Sequence, residues 1–431
     1  MTVPPSGVPR LGEDDLAALD AIVAPADARM TRIYPGDSGG RQPVHTVYVP
    51  ADRITPDVAP SWGKRARDLL DRHAADAGAF TRALQLSGDE ADALSADGGW
   101  QRLLAKLDTE PIEDLRIDLE DGYGVRDDET EDRDAVAAAR ALVEAGEAGV
   151  APPFSGIRFK SFEEPTRRRG LRTLDLVIGT LVDAGGLPDG WVVTLPKVTS
   201  LEQVEAMVEA CARLEAAYGL PGQRLRFEIQ VETPQAVLAY DGTAPLARMI
   251  HAGDGRVSGL HFGTYDYTAA LGISAEHQAM DHPVADHAKH VMALAVAQTG
   301  VRLSDGSSNV LGPDERTPAI WADHGRLVRR SLARGWYQGW DLGPVQLPSR
   351  FAATFLFFGI GRQVDSAVER VRGYLGHEGF SASGYLDEPA TAQALAGFLL
   401  RGVDCGAIDA ERVGGVTGIA ELRGLAARRF G

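Results

Sequence analysis

Eight short apolar segments follow one another along the chain, and helix-like stretches separate them. The segments lie near residues 45–49, 115–119, 156–159, 191–195, 225–231, 257–262, 301–303 and 340–342. Strands that alternate with helices favour a parallel sheet, because each helix carries the chain back across the sheet to start the next strand, and these crossovers share one handedness. Eight such segments over about 300 residues predict a closed (β/α)8 TIM barrel, with an open doubly wound sheet as the alternative.

Three regions depart from this alternation. Residues 1–43 are rich in proline, glycine and aspartate around an amphipathic stretch near Asp14–Val23, and they predict an N-terminal arm. Residues 44–348 form the predicted barrel, with a helical insertion at about 80–111. Residues 349–431 predict a C-terminal helical segment with glycine-rich breaks. We expect a homo-oligomer that associates through these C-terminal helices.

Charge and cysteine content narrow the classes of partner. The 431 residues carry a formal net charge of −17 at pH 7 and two cysteines. Such a chain lacks the basic face of a nucleic-acid-binding protein, the basic segments drawn to anionic membranes, and a disulfide framework. No segment resembles a secretory signal, and the most apolar run, residues 351–360, is too short to span a bilayer. We expect a cytoplasmic protein without nucleic-acid or membrane partners.

Charged residues follow the apolar segments at the points where a barrel places its active site, the C-terminal ends of the strands. Along the chain these are Asp52, Glu120, Asp121, Arg158, Lys160, Lys197, Glu232, Asp266 and Asp305. Because the C-terminal ends of parallel strands meet at one face, we expect these side chains to lie around one mouth.

Glu232 and Asp266 are the predicted metal ligands. Thr233-Pro234 starts a helix directly after Glu232, so this carboxylate has little loop freedom. Asp266 follows Gly263, which permits a sharp turn off the preceding strand. Carboxylates from neighbouring strand ends suit Mg²⁺, with Mn²⁺ as the alternative ion. Read singly, either acid could instead cap a helix or pair with an arginine.

Arg158 and Lys197 are the predicted cationic groups of the mouth. The planar guanidinium of Arg158 suits a substrate carboxylate, and a buried pair with Glu120 or Asp121 is compatible with that role. Lys197 ends the fourth segment, where it either balances the acids or acts as a Schiff-base nucleophile, and the first reading is favoured. Lys160 is the second candidate nucleophile.

Six short motifs recur in order at barrel spacing. They are Tyr48-Val49-Pro50-Ala51-Asp52, Asp118-Leu119-Glu120-Asp121-Gly122, Arg158, Leu195-Pro196-Lys197, Val231-Glu232-Thr233 and Phe262-Gly263-Thr264-Tyr265-Asp266-Tyr267. Over roughly residues 44–348 the chain resembles the citrate lyase β-subunit-like and HpcH/HpaI aldolase family, within the pyruvate-binding barrel superfamily that also holds malate synthase. Two departures are Gly343, where the family's eighth-strand pattern has a histidine, and Ala270, where a second acid is often seen.

The resemblance implies a TIM barrel that holds Mg²⁺ on Glu232 and Asp266. Arg158 matches the arginine that holds the substrate, and Asp305 matches the acid after the seventh strand. Asp52, Gly263, Thr264 and Asp305 are accordingly predicted to bind substrate with Arg158.

We expect a metal-dependent lyase that cleaves or forms a carbon–carbon bond next to a small α-keto acid or acyl thioester, through a Mg²⁺-stabilised enolate. Arg158 would neutralise the developing oxyanion, and Asp52, Glu120, Asp121 or a metal-bound water would be the general base. Three alternatives stay open: a Schiff-base aldolase using Lys197 or Lys160, a malate-synthase-like condensing enzyme, and a ligand-binding barrel without catalysis.

Overall fold

The computed structural model describes residues 9–95, 98–312, 314–359, 361–376, 388–414 and 418–427. Its eight strands are β1 His45–Pro50, β2 Asp114–Asp118, β3 Phe154–Arg158, β4 Gly190–Leu195, β5 Phe227–Val231, β6 Val257–Phe262, β7 Arg302–Ser304 and β8 Gly339–Asp341. They form one parallel sheet in the order β7-β6-β5-β4-β3-β2-β1-β8. An isolated bridge between Ser304 and Gln338 links the two outer strands. The predicted (β/α)8 TIM barrel is confirmed, and the open sheet is excluded because β8 returns to pair with β1.

Helices surround and extend this barrel. In chain order they are α1 Glu13–Ile33, α2 Val58–His73, α3 Ala77–Ala83, α4 Gly88–Ser95, α5 Gly99–Thr109, α6 Asp128–Glu147, α7 Arg167–Asp183, α8 Leu201–Tyr218, α9 Pro234–Val237, α10 Leu246–Ala252, α11 Thr264–Ala270, α12 Pro283–Val296, α13 Thr317–Leu332, α14 Leu347–Gly359, α15 Gly361–Leu375, α16 Pro389–Asp404, α17 Ala410–Gly414 and α18 Ile419–Ala426. Helices α3 to α5 occupy the stretch predicted as an insertion. The domain boundaries at residues 43 and 348 stay predictions.

The interior of the barrel is polar, whereas branched apolar side chains dominate the interior of most such barrels. Four buried side chains form what we call the inner network: Asp114, Arg116, Glu228 and His261. Arg116 donates two hydrogen bonds to Glu228, at 3.1 and 3.0 Å, and another to Asp114. Nε2 of His261 lies 2.9 Å from Glu228.

The charges of the inner network are close to balanced. Burial alone would raise the pKa of Glu228, but Arg116 and His261 outweigh it and hold this pKa well below its usual range. At Asp114 burial prevails and raises the pKa. Arg116 therefore chiefly neutralises one ionised carboxylate, Glu228.

The segment before β1 is bound to the N-terminal face of the barrel. Arg41 pairs with Glu110 at 2.5 Å and with Glu113 at 3.1 Å, and Arg302 donates to the carbonyl of Gly40 at 2.7 Å. Helix α1, further upstream, is longer than the predicted amphipathic stretch, and none of its residues is buried.

Helix α14 packs directly on the barrel, with 11 of its 13 residues buried. Its Arg350 donates hydrogen bonds to Asp341 at the end of β8, at 2.9 to 3.2 Å. The apolar run predicted at 351–360 is thus core as far as Gly359; Ile360 lies outside the described residues. In the described part of the chain, no helix is both long enough and apolar enough to cross a membrane.

Candidate active site at the barrel mouth

Four carboxyl groups converge on one lysine where β2, β4, β5 and β6 end. We call this group, Glu120, Asp121, Glu232 and Asp266 around Lys197, the acidic mouth. Nζ of Lys197 lies 2.9 Å from Asp121, 3.2 Å from Glu120 and 3.3 Å from Asp266. The structure therefore brings together five of the residues predicted to form the site.

The contacts of Lys197 keep it charged. Its backbone adopts the left-handed conformation, with φ at 51°, and its amide donates to Oε1 of Glu232 at 2.8 Å. Burial alone would lower the pKa of Lys197, but the negative charges of Glu232, Glu120 and Asp121 outweigh it and raise this pKa above its usual range. The side chain acts as the counter-ion of the acids, which was the favoured reading.

Glu232 is the most buried carboxyl of the mouth, with 2% of the residue exposed. Nε2 of Gln230 donates to its Oε2 at 2.7 Å. Burial raises the pKa of Glu232 to about 8; Lys197 lowers it, whereas Asp266 and Glu120 raise it further. This raised pKa favours the protonated form of Glu232 at neutral pH.

Gly263 allows the end of β6 to lie against Glu232. A Cβ atom on Gly263 would stand 2.4 Å from Cβ and 2.6 Å from Oε2 of Glu232, distances too short for any side chain. This close approach lets the turn after β6 carry Asp266 to the acidic mouth. Glycine is required here for space, not only for the turn that was predicted from the sequence.

Arg158 is held firmly beside these acids. It donates two hydrogen bonds of 2.7 Å to Asp118, lies 3.4 Å from Glu120, and stacks over the ring of Tyr48 at 4.7 Å. Asp118 also accepts backbone hydrogen bonds from Glu120 and Gly122, at 3.1 and 3.0 Å. The expected contact with Glu120 is therefore present, but the main partner of Arg158 is Asp118, which was not expected, and no ion pair with Asp121 is found among the described residues.

Glu120 and Asp121 are adjacent carboxyls whose pKa values diverge. Burial raises the pKa of Glu120 to about 7; Arg158 opposes this and Asp121 adds to it. Burial alone would also raise the pKa of Asp121, but the ammonium of Lys197 outweighs it and lowers this pKa. Paired carboxyls with separated pKa values are a frequent arrangement for acid–base chemistry.

Three predicted residues lie apart from the acidic mouth. Asp305 accepts hydrogen bonds from Lys289 at 3.1 Å and from Ser331 at 2.5 Å, and so ties α12 and α13 to the end of β7. Lys160 pairs with Glu131 of α6 at 2.6 Å. Sequence alternation placed Lys160 on the side of Arg158, but β3 ends at Arg158. Asp52 is at the rim, with Arg126 at 3.8 Å.

Thr264 begins α11 close to Glu232 and Asp266. It is buried, and its hydroxyl has no hydrogen-bond partner among the described residues. A Cβ on Gly306 would stand 2.0 Å from this hydroxyl oxygen, so glycine is also required there. Thr264 therefore keeps an unused polar atom near the acids.

Sequence reasoning missed Gln230 and named Tyr48 and Asp118 only as members of motifs, without assigning either as a partner of Arg158. The signal available for Asp118 is the parallel register, which pairs it with Arg158 across β2 and β3. Gln230 stands two positions before Glu232 on the same face of β5, and a polar residue at an inward position is a detectable signal. Nothing in the sequence marks Tyr48 as the residue under Arg158.

The donor atoms of the mouth fit a hard cation. Among the described residues, no group of three or more histidine, cysteine, aspartate or glutamate side chains is arranged to ligate a metal on its own. Mg²⁺, however, often takes only one or two protein carboxylates and completes its shell with water and substrate oxygens. Glu232 and Asp266 supply two carboxylates, and the ammonium of Lys197 already stands among the acids as a cation.

A cavity of about 550 Å³ lies beside the mouth. Its walls come from the loops after β3 and β4, and include Phe162, Arg167, Thr199 and Gln203. The second of these loops also carries Lys197, so the cavity and the acidic mouth share one loop.

Fold and site together define a (β/α)8 barrel whose C-terminal mouth gathers acids around one cation. The chain belongs to the DUF6986 family, described as a domain of unknown function, whose model matches residues 23–430. No curated protein matches the chain.

Several solved structures are similar in fold. A citrate lyase from Burkholderia xenovorans LB400 is 20% identical with a TM-score of 0.55, covering 75% of this chain and 93% of that chain. The magnesium and glyoxylate complex of Haloferax volcanii malate synthase is 16% identical with a TM-score of 0.50, covering 90% and 98%. The M. tuberculosis citrate lyase β subunit with oxaloacetate and magnesium is 19% identical with a TM-score of 0.41, covering 74% and 96%. The expected resemblance to citrate lyase and malate synthase structures is confirmed at the level of the fold by the first two, whose TM-scores are 0.50 or more.

Proposed function

We propose that this protein is a Mg²⁺-dependent carbon–carbon lyase acting next to a small α-keto acid or acyl thioester. The observation that carries the proposal is the acidic mouth, in which Nζ of Lys197 contacts three carboxyls and its amide binds the fourth, Glu232, beside the guanidinium of Arg158. Such a site attracts a divalent cation and an anionic substrate together. The names of the similar structures, citrate lyase and malate synthase, also support a carbon–carbon lyase or condensing activity.

Glu232 and Asp266 would hold the metal, with Mn²⁺ as the alternative ion. When bound, the ion supplies a Lewis acid that stabilises negative charge on the substrate oxygens as the bond breaks or forms. Glu232 must release its proton first, because its pKa is raised to about 8 by burial. Gln230 orients Glu232 for this role through its 2.7 Å hydrogen bond.

Arg158 would bind the carboxylate or the developing oxyanion, and Asp118 and Tyr48 keep its guanidinium in place. Among the three acids considered as general base, Glu120 is the best placed. Its pKa of about 7 lets it hold or release a proton near neutral pH, with burial as the main cause of the shift. Asp121 is kept ionised by Lys197, and Asp52 lies at the rim.

The Schiff-base alternative has less support. A Schiff-base lysine needs a lowered pKa, whereas surrounding carboxylates raise that of Lys197. Lys160 is engaged by Glu131 and by the carbonyl of Leu119 at 2.9 Å. Borohydride trapping separates the two mechanisms: inactivation by borohydride with substrate that is insensitive to a chelator would overturn the metal proposal.

The direct test is a screen of keto acids and hydroxyacyl thioesters with Mg²⁺ and Mn²⁺, assayed for released pyruvate, oxaloacetate or glyoxylate. Run with glyoxylate and an acyl thioester, the screen also detects malate-synthase-like condensation as loss of thioester. We expect Glu232→Gln to abolish both turnover and metal binding measured by calorimetry. Glu276→Gln, an exposed glutamate, is the matched control and should change neither.

A barrel without catalysis predicts a different result. If Glu232→Ala retained keto-acid binding and no substrate turned over, the protein would be a ligand-binding barrel. If the wild type bound neither metal nor keto acid, the proposal would fail entirely.

A further inference from the structure

Helix α1 exposes an apolar surface that the described chain does not cover. None of its 21 residues is buried, although it carries Leu16, Leu19, Ile22, Val23 and Met30, which are 44 to 74% exposed. By contrast, the described C-terminal helices contain no large exposed apolar side chain. Most of the stability of a helix in a protein comes from packing of its apolar face, so α1, which has Pro25 in its interior and no buried residue, needs a partner to stabilise it.

The apolar residues of α1 follow a heptad repeat. Six residues alternate at spacings of three and four, as the a and d positions of a coiled coil do: Leu16, Leu19, Val23, Ala26, Met30 and Ile33. This narrow seam is the pattern of a helix that packs against one other helix. It differs from the wider apolar stripe of a helix lying on a globular core.

We propose that α1 pairs with α1 of a second copy of this chain, in antiparallel orientation, to form a dimer. A seam of this kind is self-complementary about a two-fold axis, which is the commonest symmetry of homo-oligomers.

Side-chain size along the seam favours the antiparallel orientation. In the antiparallel pair, each a position of one helix meets a d position of the other. Leu19 then lies against Met30 of the partner subunit, and Val23 lies against Ala26 of the partner subunit. A parallel pair would instead place Ala26 against Ala26 of the partner subunit. Two alanines facing each other leave a gap in the middle of the seam, and such gaps cost stability.

The charges at the ends of α1 favour the same orientation. The first turn carries Glu13, Asp14 and Asp15, whereas the last turn carries Arg32, with Arg29 just before it. An antiparallel pair brings each acidic end near the basic end of the other helix and also opposes the two helix dipoles. A parallel pair would bring the two acidic ends together.

Aspartates next to the seam repel one another and oppose pairing in either orientation. The antiparallel pair places Asp20 near Asp27 of the partner subunit, and a parallel pair would place Asp15 near Asp20 of the partner subunit. The apolar seam has to outweigh this repulsion. Because salt screens repulsion between exposed charges, we expect the dimer to tighten as ionic strength rises.

The position of α1 leaves the acidic mouth accessible. The chain after α1 contacts the N-terminal face of the barrel: the ring of Tyr34 packs against His251 at 5.9 Å, and the amide of Gly36 donates to the carbonyl of Gln298 at 2.8 Å. The mouth is at the opposite end of the strands. Dimerisation through α1 is therefore independent of the function proposed above.

The first test compares the oligomeric state of three forms of the full chain by sedimentation over a micromolar concentration series. We expect the wild type to be a dimer and Leu16→Glu with Val23→Glu to raise the dissociation constant at least about 100-fold, because apolar side chains leave the seam. Ala21→Glu with Ala28→Glu adds the same charge on the outer face of α1 and should leave the dimer intact. A monomeric wild type, or a dimer that the seam variant does not weaken, would overturn the proposal.

The second test determines the orientation. Cys211 and Cys405 are buried, so a short bismaleimide should react with a cysteine introduced into α1. We expect cross-linked dimer when Leu19→Cys is mixed and re-equilibrated with Met30→Cys, and little with either variant alone, because these two positions meet only in the antiparallel pair. Efficient cross-linking of each variant with itself would show a parallel pair and contradict the proposed orientation.

Discussion

Two buried charge clusters occupy the same barrel, and they differ in how their charges balance. In the inner network Arg116 and His261 surround Glu228 and hold its pKa well below its usual range. In the acidic mouth burial raises the pKa of Glu232 to about 8, and the nearby cations do not offset this, since Arg158 is paired with Asp118 and Nζ of Lys197 contacts three other carboxyls. The first cluster carries nearly as much positive as negative charge, whereas the second has an excess of carboxyls, and it is there that we propose a further cation binds.

The largest expected effect lies in the inner network. Arg116→Met should lower the free energy of unfolding by about 3–5 kcal/mol, because Glu228 then stays buried without its main counter-charge. Urea denaturation followed by circular dichroism measures this. Arg226→Met, an exposed arginine at the same end of the barrel, is the control. Equal small losses in both variants would mean that the inner network is not structurally important.

The two clusters should respond to pH in opposite directions. The pKa values of Glu232 and Glu120, raised from 4.5 to about 8 and about 7, favour the folded state while these groups are protonated. This stability is complete below about pH 4.5 and is lost as the pH rises through 7 and 8. The lowered pKa of Glu228 acts oppositely: its contribution is present above about pH 4.5 and is lost as the pH falls.

Urea denaturation at a series of pH values, without added metal, measures both responses. Glu232→Gln should flatten the loss of stability between pH 7 and 8, because the amide has no proton to release. It should leave the acid side of the profile unchanged. An unaltered alkaline side would show that Glu232 is ionised in the folded protein at neutral pH.

The affinity for Mg²⁺ should also depend on whether Glu232 is protonated. We expect Mg²⁺ affinity to rise about tenfold per pH unit toward pH 8 and then to level off, because the ion competes with the proton on Glu232. Calorimetric titrations at several pH values measure this, with chelated metal as the blank. An affinity independent of pH between about 6 and 8 would show that Glu232 is not a ligand.

A smaller effect is expected from the residue that orients Glu232. Gln230→Leu should weaken Mg²⁺ binding about 10- to 100-fold, since partners that orient a metal ligand typically contribute that much. The fold should be retained, because the inner network does not depend on Gln230. Measuring metal affinity and urea stability of the same preparation separates these effects; a loss of stability alone would assign Gln230 a purely structural role.

The smallest effect is expected when the positive charge of Lys197 is removed from the acidic mouth. Lys197→Met should tighten Mg²⁺ binding by about tenfold or less, because the ion no longer competes with an ammonium for the carboxylates. Turnover and metal affinity are measured together. Weaker metal binding in this variant would show that Lys197 helps to form the site instead of balancing it.

Several features could be predicted from local sequence. The eight strands appear within two residues of the predicted segments, because apolar runs between helix-like stretches are a local signal. Helix α9 begins at Pro234 after Thr233, as the capping rule predicts. The five residues of the acidic mouth could be selected because each follows a strand closely. Their roles as catalytic or metal-binding groups stay predictions.

Other features depended on contacts between distant segments. Asp305 has the same strand-end position as Glu232, yet its carboxylate pairs with Lys289 on α12 and does not reach the acidic mouth. Lys160 is directed to Glu131 by the turn after β3. The sequence pattern marks a strand end but does not say which way the chain turns beyond it.

The sequence by itself determined the alternation of strands and helices and the barrel that follows from it, because both depend on residue spacing along the chain. Only the tertiary structure decided that Arg158 pairs with Asp118, that Nζ of Lys197 contacts three carboxyls, and that burial raises the pKa of Glu232 to about 8. Burial and charge pairing are properties of groups far apart in sequence, and they set the chemistry of the site.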